Sequence, residues 1–188
     1  MIKVGVSGDV GSFSEEVGLI YIKKAALTPT SIVHLINMDG VLAALVKDEI
    51  DYGVFPVANK GSGLVRQALD AMGRYPFAVI DTIDINVEQC LFAKEEMAFD
   101  QIKAIYSFAP AIVQCKNILN EALVGIPIVD WGDMAKAARD LSNGVIASDC
   151  AIIGSQRAAE AYGLKILASG IQDIKINTTM FIVVKRLK

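Results

Sequence analysis

Lys3-Val4-Gly5-Val6-Ser7-Gly8-Asp9-Val10-Gly11-Ser12-Phe13-Ser14-Glu15 sets the architecture. A short apolar, β-branched run enters a glycine turn, and the turn opens into helical periodicity over residues 14–26, with Ser12 and Glu15 at capping-box spacing. A strand that feeds a helix through a tight loop is the repeating unit of a parallel sheet. The unit recurs. Residues 32–36 precede a helix whose Val41, Leu42, Leu45 and Val46 share one stripe, and residues 52–57 precede one carrying Leu64, Val65, Ala68, Leu69 and Met72. In the second half, strands are predicted at 77–83, 90–93, 104–107, 126–129, 151–153, 166–168 and 180–184. Helices carry Ile112, Cys115, Leu119 and Ala122, then residues 133–141, then 155–162, with Asp133 as a cap and Gly163 at a C-cap position. The layout predicts an α/β fold of two lobes with mainly parallel sheets, lobe 1 about 1–76 plus 170–188 and lobe 2 about 77–169.

Working outward, 188 residues carrying 18 Lys+Arg against 21 Asp+Glu have a net charge of −3 and no run of like charge, which argues against a grip on nucleic acid. With 53% hydrophobic and 21% charged residues the chain is globular. No stretch is apolar for long enough to span a membrane, and the first residues lack the apolar core of a signal peptide, so a cytoplasmic protein is expected. Cys90, Cys115 and Cys150 sit among apolar residues and read as buried reduced thiols. His34 is the single histidine, in an apolar run beside no nucleophile motif. Neither a zinc ligand set nor a histidine-based triad is present at recognisable spacing, so no metal and no cofactor is expected. Any chemistry falls to hydroxyls, amides and carboxylates.

In parallel α/β sheets, ligands sit beyond the carboxyl ends of strands. Four loops there are polar. The first, residues 7–14, suits an anion at a helix N-terminus, or is a glycine turn with a cap; it is neither a P-loop nor GxGxxG. The second, residues 56–65, offers Asn59, Ser62 and two glycines. The third runs from Tyr106-Ser107 to Gln114, and the fourth is Asn177-Thr178-Thr179-Met180-Phe181.

These segments resemble the prephenate dehydratase family along nearly the whole chain. Gly8-x-x-Gly11-Ser12-Phe13-Ser14 is similar to the family's G-x-x-G-[ST]-[YF]-[ST], and Pro56-Val57-Ala58-Asn59-x-x-Ser62-Gly63 to its P-[IV]-E-N-[ST]-x-x-G. Cys90-Leu91-Phe92 resembles H-C-L-[LF], and Tyr106-Ser107 through Gln114-Cys115 resembles Y-S-H-P-Q-[AP]-x-x-Q-C. The segment from Ala151 to Leu164 resembles A-A-[IL]-G-S-x-x-A-A-x-x-Y-G-L, and Thr179-Met180-Phe181 stands where the family has T-R-F. The order and spacing of these motifs, taken together, make the resemblance specific.

The resemblance implies two α/β lobes flanking a cleft, similar to type II periplasmic binding proteins, and a homodimer. It implies conversion of prephenate to phenylpyruvate with loss of water and CO2, driven by aromatisation, with a small carboxylate as the partner. Thr179 would assist the departing hydroxyl, while Asn59, Ser62, Gly63, Ser107, Gln114, Ser12 and Lys60 would bind or orient the substrate. The departures are Met180 for the arginine of T-R-F, Ala58 for the glutamate before Asn59, Gln89 for the histidine before Cys90, and Phe108-Ala109-Pro110 for H-P-Q. Each makes the site less charged, and Lys60 is the candidate to restore a cation. Two alternatives follow from them, a non-aromatising prephenate decarboxylase and a cytoplasmic small-carboxylate-binding protein. The family's chains usually continue past this strand into a regulatory ACT domain; none is expected here, so inhibition by phenylalanine would need a separate chain.

Overall fold

Val4 and Val6 are fully buried in the computed structural model, which describes residues 1–187. They belong to β1 (Ile2–Val6), which is followed by α1 (Phe13–Lys24), β2 (Thr30–His34), α2 (Met38–Val46), β3 (Tyr52–Asn59), β4 (Gly63–Leu64), α3 (Arg66–Met72) and β5 (Ala78–Asn86). The chain continues through β6 (Cys90–Ala93), β7 (Ile105–Ser107), α4 (Ala109–Gln114), α5 (Lys116–Glu121), β8 (Ile128–Asp130) and α6 (Met134–Ser142). It closes with β9 (Ala151–Gly154), α7 (Gln156–Ala161), β10 (Lys165–Ala168) and β11 (Thr178–Lys185).

Two units result, each with its own sheet. The first comprises Met1–Asp9, Phe13–Asn86 and the segment that begins at Thr178. Its strand order is β2-β1-β3-β11-β5, with the short β4 beside β3. The crossovers through α1 and α2 make β2, β1 and β3 parallel, whereas β11 runs antiparallel to both β3 and β5. Alternation along the central strands sends side chains to both faces. Phe55, Ile182 and Val184 pack with Leu42, Leu45 and Ala68, and Val54, Phe181 and Val183 pack with Val17 and Tyr21. A sheet covered on both faces needs near-continuous apolar strands, which is what Phe181-Ile182-Val183-Val184 supplies.

The second unit comprises Val10–Ser12 and Val87–Asn177, with strand order β10-β6-β9-β7-β8. Its β7 is parallel to β8 and β9, while β6 is antiparallel to β9 and β10. Here too each strand divides its residues. Cys90, Phe92 and Ile152 meet Ala138 and Leu141 on one face, and Leu91, Ile105 and Ile153 meet Ala111 and Leu119 on the other. Asp133 caps α6 by accepting from the Lys136 N–H, and Gly163 follows α7 at φ +67°, both as the sequence predicts.

Several expectations are corrected. Residues 77–86, assigned to the second lobe, belong to the first unit, where Ala78–Asn86 form β5 and pair with β11 from Ala78↔Lys185 to Asn86↔Thr178. Residues 170–177, assigned to the first lobe, lie in the second unit. A strand's hydrophobic pattern reveals the strand but not its partner, which here lies about 100 residues away. Lys188, also assigned to the first lobe, lies outside the described residues. Leu64 is in β4, exposed, and α3 starts at Arg66. The helix expected through Ile112, Cys115 and Leu119 is two helices broken at Cys115. The break has a cause: the Gln114 carbonyl accepts from the Asp173 N–H (2.7 Å), and the Asp173 carboxylate accepts from the N–H groups of Lys116 and Asn117. Both sheets are mixed rather than mainly parallel.

Candidate functional site

In the first unit, the carboxyl end of β3 meets the start of β11, and the register sets Asn59 opposite Thr179. Asn59 Nδ2 donates to Thr179 Oγ1 at 2.7 Å and to the Thr178 carbonyl at 3.3 Å. Its Oδ1 accepts from the N–H groups of Gly61 (2.7 Å) and Ser62 (2.9 Å), and from the Ser62 hydroxyl (3.3 Å). Backbone N–H groups can only donate, so the oxygen of the carboxamide must face the turn and its nitrogen must face Thr179. Thr179 Oγ1 is therefore an acceptor in that pair, which leaves its own proton for a second partner. Both residues are about 6% exposed. Gly63 pairs with Asn59 across β3 and β4, and its φ of +79° suits the return of the chain. The Lys60 N–H donates to the Thr178 carbonyl, and the Lys60 side chain is exposed. Five expected site residues, Asn59, Lys60, Ser62, Gly63 and Thr179, thus lie in one cluster.

Met180 follows Thr179 but points to the opposite face of β11 and is exposed, with Ala58 and Asp84 as its cross-strand partners. An arginine in its place would stand across from a carboxylate. At the end of β2, His34 Nε2 lies 2.9 Å from Glu15 Oε1, so the single histidine is engaged with the first turn of α1.

The glycine loop reads mainly as packing. Ser7 Oγ and Ser14 Oγ are hydrogen-bonded across its base in the first unit. In the second unit Gly11, at φ +84°, abuts the start of α7: a Cβ there would stand 2.6 Å from Ala158 Cα and 2.8 Å from the Arg157 carbonyl oxygen. Ser155 caps α7 by accepting from the Ala158 N–H and donates its hydroxyl to the Gly11 carbonyl at 2.6 Å. Ser12, partly exposed, follows that anchored glycine and precedes α1.

Ser107 ends β7 and is fully buried, its hydroxyl donating to the Ile153 carbonyl on β9 at 3.0 Å. It caps no helix; the cap position of α4 is Phe108. Gln114 ends α4 with its side-chain oxygen accepting from Asn177 Nδ2 (2.8 Å) and Gln89 Nε2 (3.1 Å). Gln89 and Asn177 are each 1% exposed. Sequence reasoning gave neither a role. The available signal was a glutamine directly before the apolar run Cys90-Leu91-Phe92-Ala93 and an asparagine two residues before Thr179. Cys115 adjoins Gln114, and burial pushes its thiol up to about 12, so it is neutral and no nucleophile at physiological pH. All three cysteines are buried and free. Among the described residues no group of His, Cys, Asp and Glu could hold a metal ion, and no helix is long and apolar enough to cross a membrane.

Each unit thus holds carboxamides whose polarity is fixed by backbone partners, Asn59 in the first and Gln114 with Asn177 in the second. Residues 4–188 match the family described as Prephenate dehydratase. Arogenate dehydratase/prephenate dehydratase 1 of Arabidopsis thaliana is 29% identical over 186 residues, covering 98% of this chain and 45% of that protein. The bifunctional chorismate mutase/prephenate dehydratase of Stutzerimonas stutzeri is 26% identical over 183 residues, covering 97% of this chain and 48% of that one. The chain spans about half the length of these curated relatives. The prephenate dehydratase of Arthrobacter aurescens, solved in complex with L-Phe, superposes with a TM-score of 0.80 at 25% identity over 100% of this chain and 60% of its own. A periplasmic substrate-binding protein of an ABC transporter from Coxiella burnetii shares the fold (TM-score 0.56, 18% identity, 99% of this chain and 85% of its own). The α/β architecture is thus the one found in periplasmic binding proteins. The match over residues 4–188 places this chain in the prephenate dehydratase family.

Proposed function

We propose that the chain converts prephenate to phenylpyruvate, with loss of water and CO2. The observation that carries this reading is the Asn59–Thr179 hydrogen bond, in which the turn at Gly61 and Ser62 compels Asn59 to donate. In the reaction, the electron pair of the C–CO2 bond moves into the ring and the C–O bond to the ring hydroxyl breaks. That oxygen leaves as water after taking up a proton. Aromatisation supplies the driving force, so the protein orients the substrate and stabilises the departing oxygen. The Thr179 hydroxyl, accepting from Asn59, donates to that oxygen. Ser62 and Gly63 flank the same turn and Lys60 adds a cation beside it, whereas the Ser107 hydroxyl, fully buried and donated to the Ile153 carbonyl, is not available to a substrate. The family's relatives support a dehydratase acting on this class of cyclohexadienyl acid, under both prephenate and arogenate names.

The test is to incubate purified protein with prephenate at neutral pH and follow phenylpyruvate by its enolate absorbance in alkali, with arogenate as a second substrate whose amino-acid product, phenylalanine, is followed by chromatography. Formation of phenylpyruvate above the spontaneous rate is expected. Loss of prephenate without phenylpyruvate would indicate a non-aromatising decarboxylase, and no consumption of either acid would overturn the reading.

A further inference from the structure

β5 is the outermost strand of the first sheet, nine residues long, and among the described residues no strand pairs with its outer side. Its Val79 and Ile80 are exposed. A long edge strand carrying exposed apolar side chains is a template for pairing with another chain. A second copy of this chain fits it, because an antiparallel edge is complementary to itself about a two-fold axis.

The phase of the ladder shows which backbone groups the edge presents. The Thr178 carbonyl accepts from the Lys60 N–H on the β3 side, so Thr178 and Asn86, its partner on β5, form a non-hydrogen-bonded pair. Alternation then turns the N–H and C=O groups of Thr82 and Asp84 outward, and those of Ile83 and Ile85 toward β11. The Thr82 N–H, on the open side, donates to Asp81 Oδ1 at 2.9 Å. The same oxygen accepts from Lys24 Nζ at 2.9 Å, and Asp81 Oδ2 accepts from it at 2.7 Å, so the end of α1 clamps the carboxylate over the edge. The hydrogen bond from Lys24, and with it that from Thr82, holds the Asp81 carboxyl below the usual carboxylate range; at neutral pH it is ionised and only accepts. On the other side of Asp81, the register with β11 shifts between Val183 and Val184 and leaves Ile80 with no residue opposite, a bulge that interrupts regular pairing.

We infer that Asp81, clamped by Lys24, is a gatekeeper that closes the β5 edge to a second copy of this chain. Antiparallel self-pairing about Thr82, Ile83 or Asp84 would set Thr82 opposite the second copy's Thr82, Asp84 or Asn86. Each of these registers needs the Thr82 N–H as a ladder donor, and Asp81 already occupies it. Pairing about Asp84 would also bring two carboxylates directly opposite one another.

The experiment compares wild type, Asp81→Ala and Asp81→Ala/Thr82→Pro by sedimentation velocity and by amide hydrogen exchange at low and high protein concentration. Wild type is expected to exchange at Thr82 and Asp84 at the same rate at both concentrations. Asp81→Ala frees the donor; its weight-average mass is expected to rise about twofold over wild type, with exchange slowed at residues 82–86. Proline has no N–H, and an outward-facing edge position tolerates it, so the double variant is expected to return to the wild-type mass. An unchanged mass for Asp81→Ala, or a folded double variant that associates as the single one does, overturns the inference. So does wild type whose own amides at 82–86 become protected as concentration rises. Where circular dichroism shows the double variant unfolded, the exchange pattern of Asp81→Ala decides: protection at 82–86 supports the gatekeeper, and protection confined to another segment overturns it.

Discussion

Replacing Gly11 by alanine adds one methyl group where the backbone conformation and the neighbouring atoms both resist it. Gly11 has φ +84°, and its added Cβ would stand 2.6 Å from Ala158 Cα, 2.7 Å from Ala158 N and 2.8 Å from the Arg157 oxygen. All three are backbone atoms of α7 or its first turn, so no rotamer change can relieve the overlap. The left-handed backbone alone costs an L-residue about 1–2 kcal/mol. Overpacking against a rigid wall adds about 1–3 kcal/mol, for a total of about 2–5 kcal/mol. Gly144 is the control, since it lies in the same unit at φ +77° with nothing within 4 Å of an added Cβ. At about 2–4 °C per kcal/mol for a chain of this size, Gly144→Ala should lower the melting temperature by about 2–8 °C and Gly11→Ala by about 4–20 °C. Thermal denaturation followed by circular dichroism reads both. Equal midpoints for the two variants would refute the packing of the glycine loop against α7.

Other outcomes follow from the same contacts. Ser155→Ala removes both the cap on the Ala158 N–H and the donor to the Gly11 carbonyl, and should lower stability by about 1–3 kcal/mol in urea denaturation. Burial holds the Cys115 thiol at about 12 against an ordinary 9.0. The folded state therefore keeps a proton that the unfolded state releases between those values. Stability is complete below pH 9 and falls as pH rises through that window, by about 1.4 kcal/mol per unit. A urea midpoint at pH 10 no lower than at pH 8 would contradict this. Lys24 and Asp81 form an ion pair at 2.7 Å with the lysine side chain 57% exposed. Lys24→Ala should change stability by no more than about 1 kcal/mol, and a larger loss in the same assay would contradict that assignment.

The alternation of apolar strands with helical stripes made the α/β class legible, because strands buried on both faces must be apolar throughout, as Ala151-Ile152-Ile153 and Phe181-Ile182-Val183-Val184 are. Motif order made Asn59, Gln114 and Thr179 legible as candidate site residues. Their partners were not. Asn59 and Thr179 are 120 residues apart, and only the register of β3 against β11 joins them. Sheet assignment failed at β5 for the same reason: the pattern of residues 78–86 suits any sheet, and the pairing with β11 decides which. The break at Cys115 was hidden because Asp173, which causes it, lies on a distant loop. Gly11 read as a turn or an anion site, and what decides its role is the backbone of α7, which no local pattern encodes.

In the proposed reaction the Thr179 hydroxyl, accepting from Asn59, assists departure of the ring oxygen. The most direct test is kcat for phenylpyruvate formation from prephenate in Thr179→Ser and Thr179→Val. Serine is expected to retain most of the turnover, and valine, matched in shape but without the hydroxyl, to lose about 10²–10⁴-fold in kcat with little change in KM. Turnover by Thr179→Val close to that of wild type would contradict it.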